Sequence, residues 1–115
     1  HIDDETYRSA LAAAEMLVLP SEYEAFGIVL LEAAAAETAV IGTNVGGIPE
    51  AMSPGNNGLI VEYNDVDNLS KSIATLLDDA KLCKEMGKAG RVWAKNFSWD
   101  SILKELEQEY RSIIR

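Results

Sequence analysis

The segment from Leu19 to Glu32 constrains the fold more than any other part of the chain. Its sequence, LPSEYEAFGIVLLE, contains the end of an apolar run, a polar loop, a glycine and an apolar helix with one carboxylate. Glu32 is the only charged residue between Ala25 and Ala36, and a helix that is apolar on all sides is typical of a buried element. We therefore expect Glu32 to be partly buried. Because an unpaired buried carboxylate costs several kcal/mol, the protein or a ligand must supply its partner.

Short apolar runs alternate with helical patterns along the chain. The predicted strands are 16–19, 39–42 and 59–62. The predicted helices begin at a cap at Asp3 or Asp4, at Gly27 or Ile28 (ending near Glu37), near Ile48 (ending near Met52), at a cap at Asp65 or Asp67, near Ala80 (ending near Lys95) and at a cap at Ser98. This alternation predicts a parallel α/β sheet with right-handed crossovers. Three strands are few for a doubly wound domain, so we favour part of a Rossmann-like domain over a small complete one.

The 115-residue chain has a formal net charge of −9, and its charged residues are unevenly distributed along the sequence. Residues 1–70 contain one cation, Arg8, and twelve Asp and Glu, whereas residues 71–115 contain nine Lys and Arg and seven acids. The acidic first part argues against nucleic acid or an anionic lipid surface as its partner. We expect no nucleic-acid binding and no membrane contact from this segment. Any phosphate bound there would rely on backbone amides.

Cysteine content and the start of the chain add further expectations. Cys83 is the only cysteine, which excludes an internal disulfide and fits a reducing, cytoplasmic compartment. No cluster of metal-ligating residues is visible, so we expect no metal and no cofactor. The chain begins at His1 without a signal peptide or a long apolar run, and a fragment of a longer protein is one possibility.

The candidate site lies in the loops that follow the predicted strands, because ligands of open α/β sheets bind beyond the carboxyl ends of the strands. The first of these loops contains Glu24 and leads into the helix of Glu32. Free amides near Gly27 and Ile28 form a candidate anion site, and Gly27 has no Cβ to block a phosphate or a sugar. Two plainer alternatives remain: Glu24 as a solvated loop acid, and Glu32 as a carboxylate satisfied by a protein amide or water.

The order of these motifs resembles the retaining glycosyltransferases of family 4, which have the two-domain GT-B fold. Their C-terminal domains carry a signature like S-x-x-E-x-F-G-x-x-x-x-E-A, followed by a strand and a V-G-G-x-P-E loop. The matching residues are Ser21, Glu24, Phe26, Gly27, Glu32, Ala33, Val45, Gly46, Gly47, Pro49 and Glu50. The NGLIV run at 57–61 and the FSW run at 97–99 match as well. The resemblance thus covers nearly the whole chain.

The resemblance implies that residues 1–115 are part of a C-terminal nucleotide-sugar-binding domain. The parent protein would transfer a sugar from a nucleotide diphosphate sugar to an acceptor, with no metal. Glu24 would contact hydroxyls of the donor sugar and is the catalytic candidate, whereas Glu32 would accept hydrogen bonds from both ribose hydroxyls. The expected donor-binding residues are Ser21, Glu24, Ala25, Phe26, Gly27, Ile28 and Glu32.

Other matching residues have plainer interpretations. We expect Gly46 and Gly47 to serve turn geometry, and Glu50 to be a first-turn acid favoured by the helix dipole. The aromatic residues Trp93, Phe97 and Trp99 are interpreted as core or domain-contact residues. The family's helix-ending glycine is replaced by Glu37, which in a left-handed conformation would cost about 1 kcal/mol.

Parts of the family's site are missing from these residues. The resemblance places an arginine and lysine pair upstream, and the acceptor site and a histidine in an N-terminal domain. We therefore expect the isolated chain to be at best a weak donor-binding half-site, whose preferred base and sugar the sequence does not indicate. The alternative is a non-catalytic α/β fragment or scaffold that forms homo-oligomers through the open edge of its first strand.

Overall fold

The computed structural model describes residues 5–6, 14–22 and 27–97. Three strands, β1 (Met16–Leu19), β2 (Ala39–Thr43) and β3 (Gly58–Val61), form a parallel sheet in the order β1-β2-β3. The helices are α1 (Ile28–Ala35), α2 (Ile48–Ala51), α3 (Val66–Asp78) and α4 (Ala80–Ala94). The predicted Rossmann-like architecture, about three parallel strands flanked by helices, is confirmed. The predicted first helix, apart from residues 5–6, and the predicted last helix lie outside the described residues.

Helices cover both faces of the sheet, which is typical of parallel strands. Val40 and Ile41 are adjacent in β2 and point to opposite faces. Val40 packs in one cluster with residues of α1 and α2, and Ile41 packs in a second cluster with residues of α3 and α4. All five residues of β2 are buried, so the middle strand of the described sheet is the centre of the core.

Helix α4 packs against the amino end of the sheet, where two of its glycines allow a close approach. A Cβ on Gly87 would overlap the carbonyl oxygen of Glu37, just before β2. A Cβ on Gly90 would lie 3.3 Å from the Cα of Ala34 and 3.4 Å from the Cβ of Asn57, just before β3. Both glycines therefore serve packing of the helix, a role that the sequence pattern did not reveal.

Helix α1 ends in a Schellman motif, two residues earlier than the sequence predicted. The amide of Thr38 donates to the carbonyl of Ala33 at 2.9 Å, and the amide of Glu37 donates to that of Ala34 at 3.0 Å. Glu37 has a φ of 60°, the left-handed geometry expected where the family has glycine. Its carboxylate forms an exposed ion pair with Arg91 at 3.4 Å.

The other element boundaries are set by a helix cap and by strand pairing. Asp65 is the cap of α3, since its carboxylate accepts a hydrogen bond from the amide of Asn68 at 3.1 Å. Strand β2 extends one residue beyond the prediction, to Thr43, and β3 begins one residue earlier, at Gly58, which pairs with Val40.

Among the residues that the structure describes, no helix combines the length and the apolar character needed to cross a membrane.

Candidate functional site

The loops at the carboxyl ends of the strands are joined by side-chain hydrogen bonds. The hydroxyl of Thr43, at the end of β2, donates to the backbone carbonyl of Ser21 at 2.6 Å. The side chain of Asn44 donates to Glu62 Oε1 at 3.0 Å, and its backbone amide donates to the carbonyl of Val61 at 2.8 Å. These bonds join the residues just after β1, β2 and β3 at the carboxyl edge of the sheet, where the sequence placed the candidate site.

Gly27 lies directly before α1 and is buried. Its carbonyl accepts hydrogen bonds from the amides of Leu30 at 2.9 Å and Leu31 at 3.4 Å. Gly27 has no side chain that could cap this helix end, and the first amides of a helix have no partner within it. The N-terminus of α1 therefore supplies backbone donors and a partial positive charge at the carboxyl edge, which suits an anion.

A second reason for glycine at position 27 is packing. A Cβ there would lie 3.0 Å from Leu30 Cδ1 and 3.1 Å from the Cβ of Ala51. These distances are shorter than normal carbon contacts, so the glycine lets α2 pack closely against the start of α1. The sequence indicated only the open approach for a ligand.

Glu32 is half-buried in the middle of α1, between the buried residues Leu31 and Ala33. Its predicted partial burial is confirmed. The structure gives Glu32 an interaction partner, so a ligand hydroxyl at this carboxylate has to share or replace an existing interaction. Ile28, one turn earlier, is also half-buried. The remaining predicted donor-binding residues, Glu24, Ala25 and Phe26, lie outside the described residues.

The expected structural roles of Gly46, Gly47 and Glu50 agree with the described structure. Gly46 has a φ of 50°, and Gly47 is the residue directly before α2. Glu50 is exposed in the first turn of α2. These residues shape the second loop and the short helix after it.

The aromatic pair Trp93 and Phe97 packs against the cluster formed by α1 and α2. Their rings meet edge to face, with centroids 5.2 Å apart and an interplanar angle of 67°. Trp93 Nε1 donates to the carbonyl of Ala51 at 3.2 Å, which fixes α2 next to Gly27. Both side chains are partly buried against this cluster, which agrees with the prediction that they are core or domain-contact residues, whereas Trp99 lies outside the described residues.

A cavity of about 170 Å³ opens beside Thr43 at the same edge. Its lining residues are Pro20, Thr43, Val61, Glu62, Tyr63, Asn64, Asp65, Val66 and Leu69. The loops after β2 and β3 were expected at this edge, whereas a role for the Thr43 side chain was not; its only signal was a hydroxyl residue at the end of an otherwise apolar strand. Within the described ranges, no three His, Cys, Asp or Glu side chains are grouped closely enough to hold a metal ion.

The parallel sheet, its covering helices and its joined edge loops define a Rossmann-like α/β unit. The family model Glycosyl transferases group 1 matches residues 1–93. The chain belongs to this family, whose structural relatives have the GT-B type of fold.

Individual relatives match over most of this chain. Alpha-maltose-1-phosphate synthase of Mycolicibacterium smegmatis is 41% identical over 113 residues, which cover 92% of this chain and 29% of that protein. Sucrose-phosphate synthase from Thermosynechococcus elongatus has a TM-score of 0.83 at 36% identity, covering 98% of this chain and 29% of that one. The C-terminal domain of the glycosyl transferase group 1 family protein LpcC from Francisella tularensis has a TM-score of 0.74 at 29% identity, covering 84% of this chain and 49% of that one. The chain thus spans less than a third of the first two relatives.

Proposed function

We propose that this chain is the donor-binding part of the C-terminal domain of a retaining glycosyltransferase of family 4. The parent protein transfers a sugar from a nucleotide diphosphate sugar to an acceptor. The observation that carries the proposal is the half-buried Glu32 on an otherwise apolar helix that begins directly after the buried Gly27, at the carboxyl edge of the sheet. The match to the C-terminal domain of LpcC supports the domain assignment.

The proposed roles follow from the chemistry of the two ends of α1. A carboxylate has acceptor sites for two hydroxyl groups, so Glu32 holds both ribose hydroxyls of the nucleotide. The backbone around Gly27 and Ile28 donates to the distal phosphate and the sugar, because the first amides of α1 have no partner within the helix. Helix α1 rises about 1.5 Å per residue, so Glu32 lies roughly 6 Å along the helix from Ile28. This separation fits a ribose and a phosphate of the same nucleotide.

Glu24, in the loop that precedes α1, is the proposed catalytic residue. It contacts hydroxyls of the donor sugar together with Ala25, Phe26 and Ser21. Loss of the leaving diphosphate requires stabilisation of its negative charge. Residues 1–70 contain only one cation, Arg8, so an arginine and lysine pair elsewhere in the parent supplies that charge. The proposal includes no metal and no cofactor. It follows that the isolated chain binds donor weakly and does not transfer sugar.

Donor binding tests this proposal directly. Ligand-observed NMR with uridine, guanosine and adenosine diphosphate glucose is recorded on the wild-type chain and on Glu32→Ala. Glu85→Ala, which removes an exposed acid of α4, is the matched control. We expect ribose signals for at least one nucleotide sugar with the wild type and Glu85→Ala, and a loss of at least fivefold with Glu32→Ala, about the net value of one or two hydrogen bonds. Equal signals for Glu32→Ala and the wild type would remove the ribose role.

The alternative function, a non-catalytic fragment or scaffold that self-associates, has one observation in its favour. Strand β1 pairs only with β2 in the described sheet, and its four residues are half-buried. An exposed strand edge presents unpaired backbone groups to another chain. We expect the isolated chain to dimerise or aggregate through β1. A monodisperse monomer at high concentration by light scattering would contradict this expectation.

A further inference from the structure

Helix α4 carries a row of cations along one side. The chain has 10 Lys and Arg, and five of them lie along α4 and at its cap residue, which keeps helical backbone angles. These five side chains are exposed and are called the basic stripe: Lys81, Lys84, Lys88, Arg91 and Lys95. At 3.6 residues per turn they fall within a sector of about 80°, which no other residue of the helix enters, and they extend over about 21 Å.

The basic stripe faces away from the sheet. The buried positions of α4 are Cys83, Met86, Gly87 and Gly90, and their centre lies about 130° around the helix from the centre of the stripe. The two glycines pack against the segments before β2 and β3. The stripe therefore lies on the outer side of α4, at the amino end of the sheet and away from the candidate donor site at the carboxyl edge.

Nearby acids leave most of the stripe unpaired. Glu37 pairs with Arg91 at 3.4 Å, Glu85 is an exposed acid at the flank, and the Asp79 carboxylate accepts a hydrogen bond from the amide of Leu82 at the start of the helix. Among the residues that the structure describes, the lysines of the stripe form no ion pair.

The acids at the carboxyl edge are too far away to cancel the charge of the stripe. Strand β2, with five residues, separates the two ends of the sheet by roughly 16 Å. This separation is twice the Debye length of about 8 Å at physiological ionic strength. The outer side of α4 therefore keeps an excess of positive charge, although the net charge of the chain is −9.

We infer that the basic stripe of α4 binds an anionic membrane surface. The inference goes beyond the proposed function and does not rest on the donor site. It concerns α4 alone and leaves in place the expectation of no membrane contact from the acidic residues 1–70. Each Lys or Arg held close to an anionic bilayer raises the affinity about fivefold. A straight stripe on the outer side of one helix lets all five cations approach the same plane.

Two features favour a lipid surface over a nucleic acid. Four of the five cations are lysines, whose point charges suit mobile headgroups and do not need the fixed geometry that an arginine reads. Val92, beside the stripe, is 67% exposed, and its apolar side chain gains free energy when it enters a bilayer interface. The aromatic residue of α4, Trp93, packs against the core and is not available to stack on bases.

Vesicle co-sedimentation tests the inference with one double variant and one matched control. Lys84→Gln/Lys88→Gln removes two charges from the stripe. Lys71→Glu changes the net charge by the same amount at an exposed position of α3. Because all three positions are exposed, the variants should keep the wild-type circular dichroism spectrum. Each protein is mixed with phosphatidylcholine vesicles, with or without phosphatidylserine, and separately with duplex DNA and double-stranded RNA at the same ionic strength.

The stripe predicts a specific pattern of binding. The wild type and Lys71→Glu bind the vesicles that contain phosphatidylserine and not the neutral ones, and binding weakens as salt is added. Lys84→Gln/Lys88→Gln binds the anionic vesicles about 25-fold more weakly than the wild type.

Three results would overturn the inference. The first is a wild type that does not bind anionic vesicles. The second is an equal loss of binding in Lys71→Glu and the double variant, which would assign the effect to net charge. The third is tighter binding to DNA or RNA than to the vesicles, which would make a nucleic acid the partner. Donor binding is measured separately, so none of these results decides the proposed function.

Discussion

Replacing Glu37 by glycine should make the protein more stable, although it removes an ion pair. Glu37 is the residue after the last turn of α1, with a φ of 60° in a Schellman motif. Gly87 of α4 lies directly against its carbonyl oxygen, so the backbone cannot move to a more favourable conformation without separating α4 from the sheet. The side chain therefore keeps the steric cost of the left-handed geometry in the folded state.

The expected gain follows from three contributions. The left-handed conformation costs a residue with a Cβ about 1–2 kcal/mol. Glycine loses about 0.5–1 kcal/mol more conformational entropy on folding than alanine, which offsets part of the gain. The pair between Glu37 and Arg91 joins side chains that are 44% and 62% exposed at 3.4 Å. Exposed pairs contribute about 0–1 kcal/mol, and one contact between two solvated side chains belongs to the lower half of that range. The net stabilisation of Glu37→Gly over the wild type is about 0.5 kcal/mol.

The sharper comparison is with Glu37→Ala, which loses the same ion pair and keeps a Cβ. Glu37→Gly should exceed Glu37→Ala by about 1 kcal/mol in the free energy of unfolding. Urea unfolding followed by circular dichroism measures this difference. The slope of the unfolding free energy against urea concentration should be the same for both variants, because neither substitution changes the compactness of the protein. Equal stabilities for the two variants would refute the assignment of strain to position 37.

Two further predictions concern helix α4. Gly87→Ala should destabilise the fold by about 1–3 kcal/mol, because the new Cβ would overlap the backbone oxygen of Glu37. Urea unfolding measures this loss of stability, with Lys88→Ala at an exposed neighbouring position as the control. Equal unfolding midpoints for the two variants would contradict the close packing. Burial, and then the nearby charge of Glu15, raise the pKa of the Cys83 thiol. Since a raised pKa favours the protonated thiol in the folded state, this contribution to stability is present below the unfolded pKa and is lost as the pH rises through the folded pKa. Thiol-reagent labelling at mildly alkaline pH should therefore be slower in the native chain than in urea, and equal rates would contradict the burial.

The sequence predicted the sheet because its signals are local. Pro20 ends β1 where an apolar run meets a polar loop, and Asp65 caps α3 with a carboxylate at the right spacing. In both cases a few consecutive residues carry the information, so no knowledge of packing was needed. The strained turn at Glu37 was predicted from the family resemblance, which places a glycine there, and the left-handed φ of Glu37 confirms that geometry.

Contacts between distant segments were not predictable in the same way. Gly87 and Gly90 look like weak points of a helix in sequence, yet they allow α4 to pack against the segments before β2 and β3. Strand β3 begins at Gly58 because that residue pairs with Val40, which no local pattern encodes. Tertiary packing decides such positions, and propensity alone does not.

In the candidate site too, features with a local signal were predictable and contacts between distant residues were not. Strand order and apolar pattern predicted the start of α1 at Gly27 or Ile28, the partial burial of Glu32 and the location of the loops at the carboxyl edge. The hydrogen bond from Thr43 to Ser21 was not predicted, since it joins residues 22 positions apart. The roles of Glu24, Ala25 and Phe26 remain predictions from the family resemblance.

A crystal structure of the chain, or of its longer parent, with a nucleotide diphosphate sugar bound would test the ribose role of Glu32. We expect both ribose hydroxyls to donate to the Glu32 carboxylate at about 2.7 Å, with the phosphates at the amides of Gly27 and Ile28. A Glu32 side chain that points away from the nucleotide and is paired only within the protein would contradict it.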